Sequence, residues 1–549
     1  MKTTNLLQKL GTKSIVATLS ILLSFLFSTH SFAGIATGNT LSSGKSTVLF
    51  KKNHQFVIKD SLLTPLTEGT WQENGKSIIL SSVVQDSIVK GDTLQLLYSS
   101  AHRISLKGKS KSMSYRDGVK EEHALFMAIL RGILGMSVLV LIGYLFSADR
   151  KSINWSLVIK GIILQAVLAL LILKVPFVEG FFDFLSKAFV KVVDMAHYGA
   201  EFVFGDFLTG QVNPYVRNFA TWILPSVIFF SALTSLLYYW GILQRVVHGM
   251  AWLMKRLLGL SGSESVAVAG NVFLGQTEAP LLVKPYLSRM TKSEILCLMA
   301  GGMATIAGGV LASYIGFLGG EDDAQKIYFA KHLLTASLMS APAAIVFAKL
   351  LFPEKEKINE NLEVSKEKLG GNALEAITNG TTDGLKLAVN VGAMLIVFIS
   401  LVQLANYILL KIGDVTTMND IIAGWGHYPS LSFQAILGYL LSPFAWIMGV
   451  PWEDAMKVGQ LLGEKTILNE FVAYINLGNL QHQMSDKAAL MCTYVLCGFA
   501  NFASIGIQVG GIGALAPEVK TTLAKFGMKA LLAGTLACMS TAVIAGVLF

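Results

Sequence analysis

From residue 125 onward the chain is written largely in apolar runs of about twenty residues, the length a helix needs to cross a bilayer. The runs at about 125–146, 155–175, 219–240, 294–316, 329–351, 386–410, 488–508 and 527–548 predict eight spans. Between them, 179–205 and 242–258 are amphipathic at helical spacing, as in helices lying along an interface. Residues 34–120 have another rhythm. Short runs such as QFVI, SIIL, TLQLLY and RISL alternate with turn-forming residues, and Asn74-Gly75 between TWQE and KSIIL is a strong hairpin signal. They predict a small all-β domain. Ahead of it, Lys2, Lys9 and Lys13 followed by SIVATLSILLSFLF and SFAG predict a signal peptide over 1–33, cleaved or retained as an anchor, which places 34–120 on the exported side.

Composition fits this pattern. Of 549 residues, 53% are hydrophobic and only 14% charged, against about 25% charged in soluble proteins. A net charge of +9 could suit nucleic acid, but the cations sit in short clusters between apolar runs. Arg150-Lys151, then Arg245, Lys255 and Arg256, then Lys284, Arg289 and Lys292, and finally Lys520, Lys525 and Lys529 fall where cytoplasmic loops are expected. The predicted outer loop after 316 reads GGEDD instead. Arg103, Lys107, Lys109, Lys111, Arg116 and Lys120 oppose the trend, although long exported domains translocate largely regardless of charge. The reading is a multi-pass plasma-membrane protein, of a bacterial inner membrane on the signal-peptide evidence. Cys297, Cys492, Cys497 and Cys538 lie in apolar segments without metal-ligand spacing and read as buried thiols.

Two apolar segments do not resemble spans. One, 263–290, holds GQTEAP; the other, 452–476, holds GEKTILNEFVAY. Each carries a lone glutamate, Glu278 or Glu470, beside an amide, Gln276 or Asn469. A charge costs roughly 2.5–3.5 kcal/mol at mid-membrane on insertion scales. Each segment precedes a run interrupted by small and polar residues, GGMATIAGG at 301–309 and CGFANFASIGIQ at 497–508. Interrupted segments at corresponding places in two halves point to a transporter binding site, where freed carbonyls and helix ends meet ions and substrates. The chain then divides into 121–262, with the first spans, interfacial helices and scaffold, and 263–352, the first interrupted segment and the spans after it. A charged cytoplasmic connection with an amphipathic helix follows at 353–385, then a scaffold span with interfacial segments at 386–451, and the second interrupted segment with the last two spans at 452–549.

No G-x-S-x-G, H-E-x-x-H or Walker loop appears, and the histidines lack ligand spacing, so an enzyme is not expected. A receptor or sensor using the exported domain to capture ligand is the reading from another class; against it, no cytoplasmic output domain follows.

GNVFLGQTEAPLLVKPYLSRMTKSE, MATIAGGVLASYIGF, LTASLMSAPAA, LNEFVAY, CGFANFASI and KALLAGTLACMSTAVIAG together resemble the concentrative nucleoside transporters over about 120–549. The resemblance implies an α-helical homotrimer in the lipid bilayer, with eight core spans per protomer and two re-entrant hairpins in inverted repeats. The third and sixth spans form a scaffold, and a mobile domain moves the site in an elevator-like manner. By the same resemblance Gln276, Thr277 and Glu278 contact the nucleobase, Glu470, Asn501 and Ser504 the ribose, and Val310 and Phe499 line the base. The implied sodium ligands are the side chains of Asn271 and Thr305 and the carbonyls of Leu274 and Ile306. Thr305 stands where a serine is common. Sodium is the expected coupling ion and no nucleic acid partner is implied. A proton carried on Glu470 is the rival, since an intramembrane carboxylate can titrate. Purine or pyrimidine preference stays open.

Overall fold

The computed structural model describes residues 40–43, 46–50, 55–60, 65–74, 77–84, 87–100, 103–107, 112–117, 121–205, 218–320, 322–358 and 370–549. The expected signal peptide, 1–33, lies outside these. Contacts divide the chain into two units, Met1–Val119 and Lys120–Phe549.

In the first unit eight strands, β1 (Thr40–Ser43), β2 (Ser46–Phe50), β3 (Gln55–Asp60), β4 (Pro65–Asn74), β5 (Ser77–Val84), β6 (Ser87–Ser100), β7 (Arg103–Lys107) and β8 (Ser112–Asp117), pair antiparallel in sequence order. β1 also pairs with β8 and closes the barrel. The register sets Asn74 opposite Ser77 where the Asn74-Gly75 hairpin is expected.

The second unit is helical. Its elements are α1 (Glu121–Leu145), α2 (Trp155–Lys174), α3 (Pro176–Phe204), α4 (Leu224–Tyr239), α5 (Ile242–Leu258), α6 (Gly262–Asn271), α7 (Lys292–Ala304), α8 (Gly308–Gly319) and α9 (Asp323–Leu351). Then come α10 (Ala373–Thr416), α11 (Met418–Gly424), α12 (Phe433–Ile447), α13 (Trp452–Ile467), α14 (Glu470–Leu480), α15 (Asp486–Val495), α16 (Phe502–Leu515) and α17 (Lys520–Leu548). A π turn, Phe219–Ile223, enters α4, and a 3₁₀ segment, Ala279–Arg289, follows the turn after α6.

Among the described residues seven helical stretches are long and apolar enough to cross a membrane. α9, the α7–α8 stretch and α17 are mostly buried and form the centre, whereas few residues of α1, α4 and α10 are fully buried. α4 and α10 lie against each other through small residues. A Cβ at Gly380 would sit 2.6 Å from Ser235 Cβ, one at Gly384 would sit 2.7 Å from Ser231 Cβ, and Ser235 Oγ donates to the Ala376 carbonyl at 2.8 Å. Close backbone approach of this kind stabilises helix pairs in lipid, where apolar area alone does not.

The structure makes three expectations specific. The run at 488–508, expected as a span interrupted by small and polar residues, is α15 and α16, separated at 496–501, where Gly498 takes φ +133° and no helix continues. The second interrupted segment is a hairpin of α13 and α14 that ends at Leu480 rather than 476. The fold class is also refined: the strands are confined to the first unit, where they close an eight-stranded barrel, and the unit that carries the site is helical among its described residues.

Candidate functional site

Ser261 starts α6 by accepting from the Glu264 N–H at 3.1 Å. The helix stops at Asn271, since Gly275 and Pro280 follow within nine residues and the intervening turn carries polar side chains. The turn folds back onto the break between α7 and α8: Gly308 N–H donates to the Phe273 carbonyl at 3.3 Å. Four oxygens on the turn and on the break have spare hydrogen-bonding capacity. Asn271 is 1% exposed and its Oδ1 is buried without a hydrogen-bond partner. Thr305 Oγ1 donates to the Gly301 carbonyl at 2.8 Å, which leaves its lone pairs free. Among the described residues no backbone N–H donates to the carbonyl of Leu274 or of Ile306. A neutral set of oxygen donors suits a hard monovalent cation.

The next residues of the turn reach the other half of the chain. Gln276 Nε2 donates to Ser504 Oγ at 3.1 Å, and Thr277 lies on α16 at Gly511, where a Cβ would be 2.8 Å from Thr277 Cγ2. Gly302 makes room for the contact, since a Cβ there would lie 2.9 Å from Gln276 Cβ and 2.7 Å from Gln508 Nε2. Glu278 turns back and accepts from the Gly275 N–H at 3.2 Å. Val310 is buried in the first turn of α8.

In the second half, Asn469 caps α14 by accepting from the Val472 N–H at 3.0 Å, so its amide supports the hairpin tip. Glu470, 3% exposed, accepts from Tyr314 at Oε1 (3.1 Å) and from Asn501 Nδ2 at Oε2 (2.8 Å). Asn501 also caps α16, accepting from the Ser504 N–H at 2.8 Å. Half-buried Phe499 sits in the break, and its carbonyl accepts from the Asn501 N–H at 2.9 Å. The structure thus joins Gln276 to Ser504 and Glu470 to Asn501. Among the described residues Glu278 and Glu470 have no hydrogen-bond partner in common.

Sequence reasoning missed several buried groups. Tyr314 donates to Glu470, and Lys465, 1% exposed, donates to the Val495 carbonyl at the open end of α15 (2.9 Å). Gln508 Nε2 donates to the Met299 carbonyl at 3.0 Å while its Oε1 is buried without a partner. Glu264 and Lys349 form a buried ion pair at 2.7 Å below the first hairpin. A polar residue in each apolar stretch was the available signal for all of these except Tyr314. A cavity of about 200 Å³ beside Asp194, His197, Trp222 and Lys326 shares no residue with the cluster.

Comparison with known proteins places these residues in context. The Na+ dependent nucleoside transporter family models match residues 134–207 (N-terminus) and 332–546 (C-terminus), and a nucleoside recognition gate model matches 220–321. Solute carrier family 28 member 3 of Mus musculus is 41% identical over 434 residues, 75% of this chain. The chain spans only 58% of that relative's length. The nucleoside permease NupC of Helicobacter pylori is 36% identical over 432 residues, 77% of this chain and 98% of that one. The solved structure of CNTnw in an inward-facing substrate-bound state superposes with a TM-score of 0.69 at 38% identity, covering 77% of this chain and 99% of that one.

Proposed function

Because the chain belongs to the concentrative nucleoside transporter family, we propose that it imports nucleosides across the plasma membrane in symport with sodium. The observation that carries this reading is the junction of the two halves. The tip of the first hairpin meets the second broken span through Gln276 and Ser504, and the second hairpin meets the same span through Glu470 and Asn501.

Gln276, Thr277 and Glu278 form the base side, with Val310 and Phe499 as apolar walls. An amide and a carboxylate suit a base edge that presents both donors and acceptors. Glu470, Asn501 and Ser504 form the ribose side, where hydroxyls donating to a carboxylate make charge-assisted hydrogen bonds. Asn271, Thr305 and the carbonyls of Leu274 and Ile306 hold the sodium ion. The partner-free Asn271 Oδ1 supports this assignment. An ion at the tip orders the turn that carries Gln276, so ion and nucleoside promote each other's binding. A membrane potential of 100 mV adds roughly 2.3 kcal/mol per sodium, about a 50-fold concentrating force.

In this reading the α4–α10 pair is the scaffold of a homotrimer, and the buried helices with both hairpins move against it as an elevator. The test is uptake of labelled uridine and adenosine into proteoliposomes under an imposed sodium or proton gradient. Accumulation with sodium alone is expected. Accumulation with protons alone would move the coupling to a carboxylate, and no uptake by folded protein would overturn the substrate class.

A further inference from the structure

Tyr314 lies in the middle of α8 with no exposed surface. A buried phenol in a membrane helix needs a partner for its hydroxyl, and here the partner is the Glu470 carboxylate, 156 residues away, at 3.1 Å. Its ring is fixed on both sides. It stacks on Tyr474 with centroids 4.2 Å apart and meets Phe471 edge-on at 5.3 Å. Tyr474 is itself pinned, since its hydroxyl donates to the Thr493 carbonyl at 2.9 Å, in the last turns of α15. The phenol therefore has little freedom, and the oxygen it offers Glu470 is set by three helices.

We propose that Tyr314 is a positioning residue for the ribose site: it holds Oε1 of Glu470, as Asn501 holds Oε2, and so fixes the orientation in which the carboxylate accepts from a ribose hydroxyl. Each carboxylate oxygen has about two acceptor directions. One on each is taken by a protein donor, and the remaining directions are aimed. A carboxylate free to rotate would accept from either ribose hydroxyl, or from water, with equal ease. Held at both oxygens, it distinguishes a sugar that presents its hydroxyl at the right place from one that lacks it, because the unmatched lone pair then stays unpaired in a water-poor site.

This inference rests on Glu470 being the ribose acceptor, so its test uses Glu470→Gln as a reference. Uptake of uridine, 2′-deoxyuridine and 3′-deoxyuridine into proteoliposomes is measured for the wild type, Glu470→Gln, Tyr314→Phe and Tyr474→Phe, all as the full chain. Glu470→Gln identifies the hydroxyl whose loss the site no longer senses. Tyr314→Phe is expected to narrow the ribo-to-deoxy ratio of kcat/KM for that same hydroxyl by roughly five- to ten-fold. Tyr474→Phe keeps the ring stack and the Tyr314–Glu470 bond, and should keep the ratio. A uniform loss for all three sugars in Tyr314→Phe, or an unchanged ratio, reduces Tyr314 to packing and overturns the proposal. Equal narrowing in Tyr474→Phe assigns the effect to loosened packing around the ring rather than to the Tyr314 hydroxyl, and overturns it too. If Glu470→Gln leaves every ratio intact, the ribose assignment itself is wrong and this inference goes with it.

Discussion

Gly498 lies directly against Ala304, so that the two interrupted spans meet at their breaks. A Cβ at Gly498 would be 2.7 Å from the Ala304 carbonyl oxygen, and the glycine takes φ +133°. Cys538 on α17 bonds at the same place, with its thiol 2.9 Å from the Cys497 carbonyl. Two freed backbone stretches are thereby packed inside protein rather than lipid, the condition for irregular backbone at membrane depth.

Gly498→Ala therefore meets both a strained backbone region and a backbone oxygen that cannot swing aside. A loss of about 2–4 kcal/mol is expected, read as a lower thermal midpoint of the detergent-solubilised protein. An unchanged midpoint would show that the breaks tolerate separation.

Glu470→Gln preserves shape and removes the charge that Tyr314 and Asn501 hold. Nucleoside uptake should fall about ten-fold or more, as expected for losing a charge-assisted hydrogen bond, with the protein still folded by circular dichroism. Wild-type affinity in this variant would remove Glu470 from the site.

Asn271→Ala takes away the partner-free amide oxygen beneath the hairpin tip. The sodium concentration for half-maximal uptake should rise about ten-fold or more, while saturating sodium restores part of the rate. No shift in sodium dependence would exclude Asn271 as a ligand.

Gly302→Ala tests the packing of the base side, because the new methyl would press on Gln276 and Gln508. Displacement of the hairpin tip by a few tenths of an ångström should raise the KM for nucleoside roughly ten-fold. Binding by calorimetry checks it, and an unaltered KM would mean that Gln276 does not set the base contact.

Asp149, between α1 and α2, accepts from Lys355 Nζ, from Ser152 Oγ at 2.8 Å and from the Lys151 N–H at 3.0 Å. These bonds, that of Lys355 foremost, hold its carboxyl well below the usual carboxylate range. A carboxyl depressed on folding contributes stability that is full above its unfolded value, about 4, and is lost as pH falls through the folded one. Wild type should thus melt higher than Asp149→Asn at pH 7, and the gap should shrink progressively as the pH falls below about 4.

What the sequence made legible follows from how costly each feature is in lipid. Long apolar runs announce spans because nothing else explains them, and Gln276, Glu278 and Glu470 stand out because polar groups are expensive where they lie. Tyr314 is the opposite case. An aromatic ring in an apolar helix reads as core, and only the folded chain brings its hydroxyl to Glu470. The double duty of Asn501, which caps α16 and donates to Glu470, is half visible: the residue belongs to the resembling motif, but the cap requires knowing where within the interrupted run the helix restarts. Small and polar residues announce that break in sequence, while its apolar flanks hide where it begins and ends.

A carrier that delivers cargo must also come back without it. Glu470 carries its carboxylate in a buried place, and Tyr314 and Asn501 each satisfy one direction on its two oxygens while leaving the others open. A carboxylate with two protein donors is never bare, so a return journey through the bilayer without a passenger would not be burdened by an unpartnered charge.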